Sequence, residues 1–149
     1  MILGLDVSTS ITGATILDKQ GQVLYNEAWD TRKFKSFFEK VEYVEQQINN
    51  LDRVYGEFER VFIEESLQTF RSGFSSAATS ARKLCGITVP RGTKAKEVVL
   101  KYILDNTPSV TIEYTKFGNP KPECYDKADS WVVARAGYTL CQKEKSSES

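Results

Sequence analysis

Apolar residues recur along this chain at two different periods, and the change from one to the other divides it into elements. Residues 2 to 7 (ILGLDV) form a short apolar run with an acid near its end, followed by the turn formers Ser8, Thr9 and Ser10. A second run, Thr12 to Leu17, breaks at Asp18-Lys19-Gln20-Gly21-Gln22, and a third spans Val23 to Trp29. Three strands joined by short turns predict an antiparallel meander. From Phe34 the period lengthens. Phe34, Phe37, Phe38, Val41, Val44, Ile48, Leu51, Tyr55 and Phe58 recur every three or four residues, which predicts one long amphipathic helix. Arg60 to Glu64 (RVFIE) is then a buried strand, again ending in acid.

The second half is less regular. Residues 66 to 80 are rich in serine, alanine and glycine, with Phe70, Arg71 and Phe74 among them, and predict a loop or weak helix. Thr93 to Asn106 predicts a second amphipathic helix, with Val98, Val99, Tyr102, Ile103 and Leu104 for the core and Pro108 as its stop. Val110 to Tyr114 has strand character, Gly118 to Pro122 is a loop, and a last helix is expected from about Asp126 to Leu140. The Lys/Ser/Glu stretch after it is expected to fray. The order β-β-β-α-β, an irregular stretch and two helices describes one α/β domain over 1–142 with a disordered tail at 143–149. Tyr25, Tyr43, Tyr55, Tyr102, Trp29 and Trp131 are assigned to packing.

Composition narrows the chemistry. At 149 residues and 40% hydrophobic content, one domain buries a core without disulfides. The three cysteines, Cys85, Cys124 and Cys141, form no C-x-x-C pair, so neither a disulfide framework nor a zinc knuckle is expected. No apolar run reaches membrane-spanning length and the N-terminus carries no signal-like pattern, so the expected location is the cytoplasm. The chain has no histidine, which removes Ser-His-Asp, Cys-His and His-zinc hydrolysis together. Net charge is zero but unevenly placed: residues 39 to 65 carry eight acids against three bases, and residues 82 to 101 carry six bases against one acid. The basic segment, which includes Arg91, Lys94 and Lys96, suits a phosphate backbone, although a solvated helix face has the same composition.

Any hydrolytic chemistry therefore rests on carboxylates, lysine, hydroxyls or thiols. Asp6 and Glu64 each end a buried apolar run, where an unpaired acid is costly. Asp126 and Asp129 are three apart at the start of the last helix and share one face of its first turn, although each alone also suits an N-terminal cap. Gathered together, such acids repel by about 4 kcal/mol per close pair at an effective dielectric of 20. Divalent cations relieve that cost, and hard oxygen donors without histidine or thiolate select Mg²⁺ or Mn²⁺. Two such ions are a common device for hydrolysing a phosphodiester.

Four stretches carry a resemblance. I2-L3-G4-L5-D6-V7-S8-T9-S10-I11-T12-G13 resembles the opening strand and hairpin of RuvC-type Holliday junction resolvases, F62-I63-E64 their second catalytic strand, and D126-K127-A128-D129-S130 their closing D-x-x-D helix. R91-G92-T93-K94-A95-K96 is similar to the basic helix start that meets DNA in the same proteins. The resemblance implies an RNase H-like fold with a mixed five-stranded sheet, and its small size implies the phage-encoded branch, acting in a host cytoplasm. It implies a homodimer that binds four-way junctions and makes paired nicks with 5′-phosphate ends, as an enzyme of DNA recombination and repair. In it Asp6 bridges two metal ions, Glu64 and Asp129 each help hold one, and Asp126 completes the site or assists the attacking water. Lys96, with Lys94 and Arg91, holds the scissile phosphate, and Phe70, Arg71 and Phe74 sit where the family has residues that wedge into the junction. One departure weakens the implied dimer and fifth strand: 21 residues separate Glu64 from Gly86, where family members place a long helix and a strand.

Rival expectations are a nuclease of the same fold acting on other branched DNA or RNA–DNA hybrids, an actin- or sugar-kinase-like phosphate-binding domain, and a non-catalytic DNA-binding module. The absence of a second phosphate loop and an adenosine site argues against the kinase-like reading. The basic segment generates a direct test. Junction affinity is expected to fall steeply with salt, and Lys96→Ala to weaken binding and flatten the salt slope by about one unit without unfolding the domain. Salt-independent binding in a filter or anisotropy titration would reduce the segment to a solvated face.

Overall fold

A computed structural model describes residues 1–65 and 81–148. Four strands form one mixed sheet in the order β3-β2-β1-β4: β1 (Ile2–Val7), β2 (Ile11–Leu17), β3 (Val23–Asp30) and β4 (Arg60–Glu65). The first three make the expected meander. β4 joins β1 in parallel, as it must after the long helix α1 (Phe37–Tyr55). Ser8 folds the first turn: its Oγ donates to the Ile11 carbonyl and accepts from the Ile11 amide.

Alternation along the strands sorts side chains to two faces. Leu3, Leu5, Ala14, Ile16 and Trp29 point to one side and pack with Leu51, Ile48, Val44 and Tyr55 of α1. The opposite face receives α2 (Ala95–Asn106) and α3 (Glu123–Glu148), with Leu17, Val99, Ile103, Trp131 and Val132 in their shared core. Each such fully buried aliphatic contributes roughly 1.5–3 kcal/mol.

The seat of α3 is unusually close. A Cβ on Gly4 would collide with the Ala134 backbone, and one on Gly13 with the Asp126 carbonyl oxygen. Glycine at those two positions lets the helix lie directly on the strands. A buried polar chain then fixes its first turns. Asn26 Nδ2 donates to Thr15 Oγ1 at 2.8 Å and to the Lys127 carbonyl at 2.9 Å. Ser130 Oγ donates to the same carbonyl at 2.8 Å, which leaves the Thr15 hydroxyl to donate to Ser130 at 2.7 Å.

Several expectations need correction. The described sheet has four strands, not five: Val110 to Tyr114 forms only a single bridge, Tyr114 to Pro120. Val110 and Ile112 are held by core packing instead, and the Thr115–Asn119 turn takes up neighbouring backbone groups. α1 begins at Phe37 because Ser36 caps it, accepting from the Glu39 amide, and it stops at Gly56, whose φ is 90°. Phe37, Phe38 and Val41, in its first turns, are exposed. α3 continues past Leu140 to Glu148 where a frayed tail was expected. Ion pairs Arg60–Glu144 (3.1 Å) and Lys145–Glu59 (3.6 Å) tie that extension to the β4 end of the sheet. Phe70, Arg71 and Phe74 lie outside the described residues.

Gly13→Ala is expected to destabilise the fold by about 1–3 kcal/mol, because backbone and not a flexible side chain blocks the new methyl. Denaturant unfolding measures this, and an unchanged midpoint would show that α3 is not seated on the strand.

Candidate active site

Asp6 stands near the end of β1, opposite Gly13 in β2 and in parallel register with Glu64 in β4. Residues in register on adjacent parallel strands share a face, so both acids point to the α3 side. There the N-terminal turns of α3 bring Asp126 and Asp129, because the Asp126 backbone rests on Gly13. The four carboxylates, drawn from three separate elements, line one cavity of about 260 Å³ together with Arg82, Val99 and Val132.

Burial lifts the pKa of each of them. Asp6 is raised to about 8, first by burial and then by Asp129, Glu64 and Asp126 in turn. Asp129 is raised to about 7 by burial and by Glu64 and Asp126, against a lowering pull from Arg82. Burial and Glu123 raise Asp126 to about 6, partly offset by Arg32. Burial also raises Glu64, and Arg82 again opposes it. Burial is the first cause of all four shifts, and repulsion within the set adds to it at Asp6 and Asp129.

The donor set suits a hard divalent cation: all oxygen, partly buried, and mutually repelling. Among the described residues no three acidic, cysteine or histidine side chains are drawn close enough to hold a metal ion as they stand. Binding one requires the carboxylates to converge by side-chain rotation. Behind them, the Asn26–Thr15–Ser130 chain fixes the backbone from which Asp126 and Asp129 project.

Not every sequence candidate reaches the cavity. Lys96 is exposed on the first turn of α2 with Nζ 5.0 Å from the centre of the Tyr125 ring, next to Asp126 but outside the cavity lining. Lys94 is the N-cap of α2, and Arg91 lies exposed in the turn before it. The sequence counted Arg82 in the basic segment but gave it no place in the site. It lines the cavity and acts on both Glu64 and Asp129. Nothing in its spacing marks it, since it enters from a helical turn at 81–84, just after the irregular stretch. Arg32 was also missed: it pairs with Asp30 at 2.6 Å and reaches Glu123 at 3.4 Å, at the start of α3. All three cysteines are free, and no described helix is long and apolar enough to cross a membrane.

Comparison with family profiles and with curated proteins returned no match. Among solved structures, the chain is similar to Thermus thermophilus RuvC, with a TM-score of 0.57 and 16% identity over 96% of each chain. It is also similar to T. thermophilus RuvC in complex with a Holliday junction substrate, with a TM-score of 0.59 and 16% identity over 95% of this chain and 94% of the other.

The raised carboxyls set a pH dependence. With no divalent cation, acids whose folded pKa lies above the unfolded value cost nothing when both states are protonated. Stability is then lost as pH rises from the unfolded value, near 3.8, toward the folded values of about 6 to 8, and levels off above them. The melting temperature in chelator is expected to drop by about 5 °C between roughly pH 5 and pH 8, and Mg²⁺ or Mn²⁺ to recover most of the loss at the upper end only. A flat or rising profile in chelator would contradict the crowding. The fold as a whole is that of RuvC.

Proposed function

We propose that this protein is a metal-dependent DNA endonuclease that resolves four-way junctions by paired phosphodiester hydrolysis, leaving 5′-phosphate nicks. The observation that supports it is the meeting of Asp6, Glu64, Asp126 and Asp129 in one cavity of a RuvC-like fold. Their positions along the chain match those that resemble the resolvase motifs.

In this reading Asp6, Glu64, Asp126 and Asp129 would together hold two Mg²⁺ or Mn²⁺ ions. The ions supply activation of water and stabilisation of the leaving oxygen. Everything else falls to the chain. α3 presents Asp126 and Asp129 from a backbone that cannot shift without breaking the Thr15–Ser130 contact. Lys96, with Lys94 and Arg91, sits at the start of α2 and holds the DNA backbone beside the cavity. Arg82, between Glu64 and Asp129, limits their repulsion in the metal-free protein and offers a guanidinium to a phosphate oxygen. A homodimer would set two such cavities on opposite arms of one junction.

The test is a cleavage assay with Mg²⁺ or Mn²⁺ on four-way, three-way, flap and RNA–DNA hybrid substrates. Four-way junctions are expected to be cut in symmetric pairs, and Asp6→Asn to lose activity by on the order of 10³-fold or more while junction binding persists. Retained cutting by that variant removes Asp6 from the mechanism. Preferential cutting of hybrids would replace the resolvase by another nuclease of the same fold.

A further inference from the structure

A second cavity, of about 300 Å³, shares no lining residue with the acidic one. It opens between the β2–β3 turn, the end of α2 and the middle of α3, and Gln22, Tyr102, Thr107, Ser109, Trp131 and Arg135 are among its walls. Its chemistry is the reverse of the first: the charge in its lining is the Arg135 guanidinium. That group stacks on the Tyr138 ring, 4.8 Å from its centre, and has no carboxylate partner among the described residues. Tyr102 and Trp131 supply the second observation: both line the cavity, their ring centres are 6.1 Å apart, and they add flat apolar surface beside the guanidinium.

We propose that this cavity binds a small organic carboxylate with a flat apolar body. The carboxylate accepts from Arg135, and the body lies against Tyr102 and Trp131. The volume lies at the small end of the range for ligand sites and suits a single-ring molecule. The proposal does not depend on the nuclease reading, because none of the four acids takes part.

Indole N–H resonances test it on the full chain. The protein has two tryptophans, and Trp29→Phe leaves Trp131 as the one reporter. Benzoate is expected to move the Trp131 indole resonance along a saturable curve. Benzamide, the same shape without charge, should bind about tenfold more weakly or worse, since it forfeits a charge-assisted bond. Arg135→Gln should abolish saturation. Because Arg135 also packs on Tyr138, Ser109→Asp provides a second variant: it places a repelling carboxylate at an exposed rim position and should weaken benzoate binding comparably with the fold unchanged. A linear, unsaturable shift would overturn the proposal, as would equal binding of benzamide. Inorganic phosphate binding as tightly as benzoate would also overturn it, by removing any need for the apolar body.

Discussion

Four carboxylates stay close to one another here only because a helix can rest on bare strand backbone. Gly4 and Gly13 remove the side chains that would hold α3 away, and the Asn26–Thr15–Ser130 chain then fixes its height and rotation. The repulsion among the acids pushes the other way. It is borne by the packing of Leu17, Val99, Ile103, Trp131 and Val132 on the same face of the sheet. Fold stability and site chemistry therefore meet on one helix: α3 supplies apolar contacts in its middle and two of the acids at its start. Burial first, and then repulsion within the set, holds the pKa of Asp6 and Asp129 well above the usual carboxylate range.

Much of this was legible in the sequence where local periodicity and global placement agree. The meander, a fourth strand, α2 and the last helix follow from runs whose period is plain, and the four acids stand at their ends. The errors have physical causes. The apolar period of α1 continues upstream of Ser36 to Phe34, but a side-chain cap starts the helix at Phe37, and Phe37 and Phe38 in its first turn are exposed. Val110 and Ile112 have strand chemistry but, among the described residues, no neighbouring strand to pair with, and core packing holds them. The end of α3 lacks an apolar stripe and is held by charge pairs to Glu59 and Arg60, which no one-dimensional pattern reveals. Arg82 illustrates the same limit at the site. Its neighbours in sequence are basic, while its neighbours in space are Glu64 and Asp129.

α3 also joins two environments of opposite sign. Asp129 faces the acidic cavity, and Trp131, two residues on, faces a cavity whose lining is donor-rich and positively charged. Ser130 between them is fully buried in the polar chain. A cation held on one side and an anion on the other would both lower the electrostatic energy of the same few turns of helix.

The register of β4 against β1 carries a further consequence. Glu64 reaches Asp6 because each strand residue is matched in step, Leu3 with Val61, Leu5 with Ile63, Asp6 with Glu64. Strand side chains alternate, so a single-residue deletion in the α1–β4 connection that slipped this pairing by one place would send Glu64 to the far side of the sheet and turn Ile63 toward the acids. A two-residue change would restore the face while moving the carboxylate along the strand. Length variation before β4 thus acts on the site by parity, a constraint that substitutions alone would never expose.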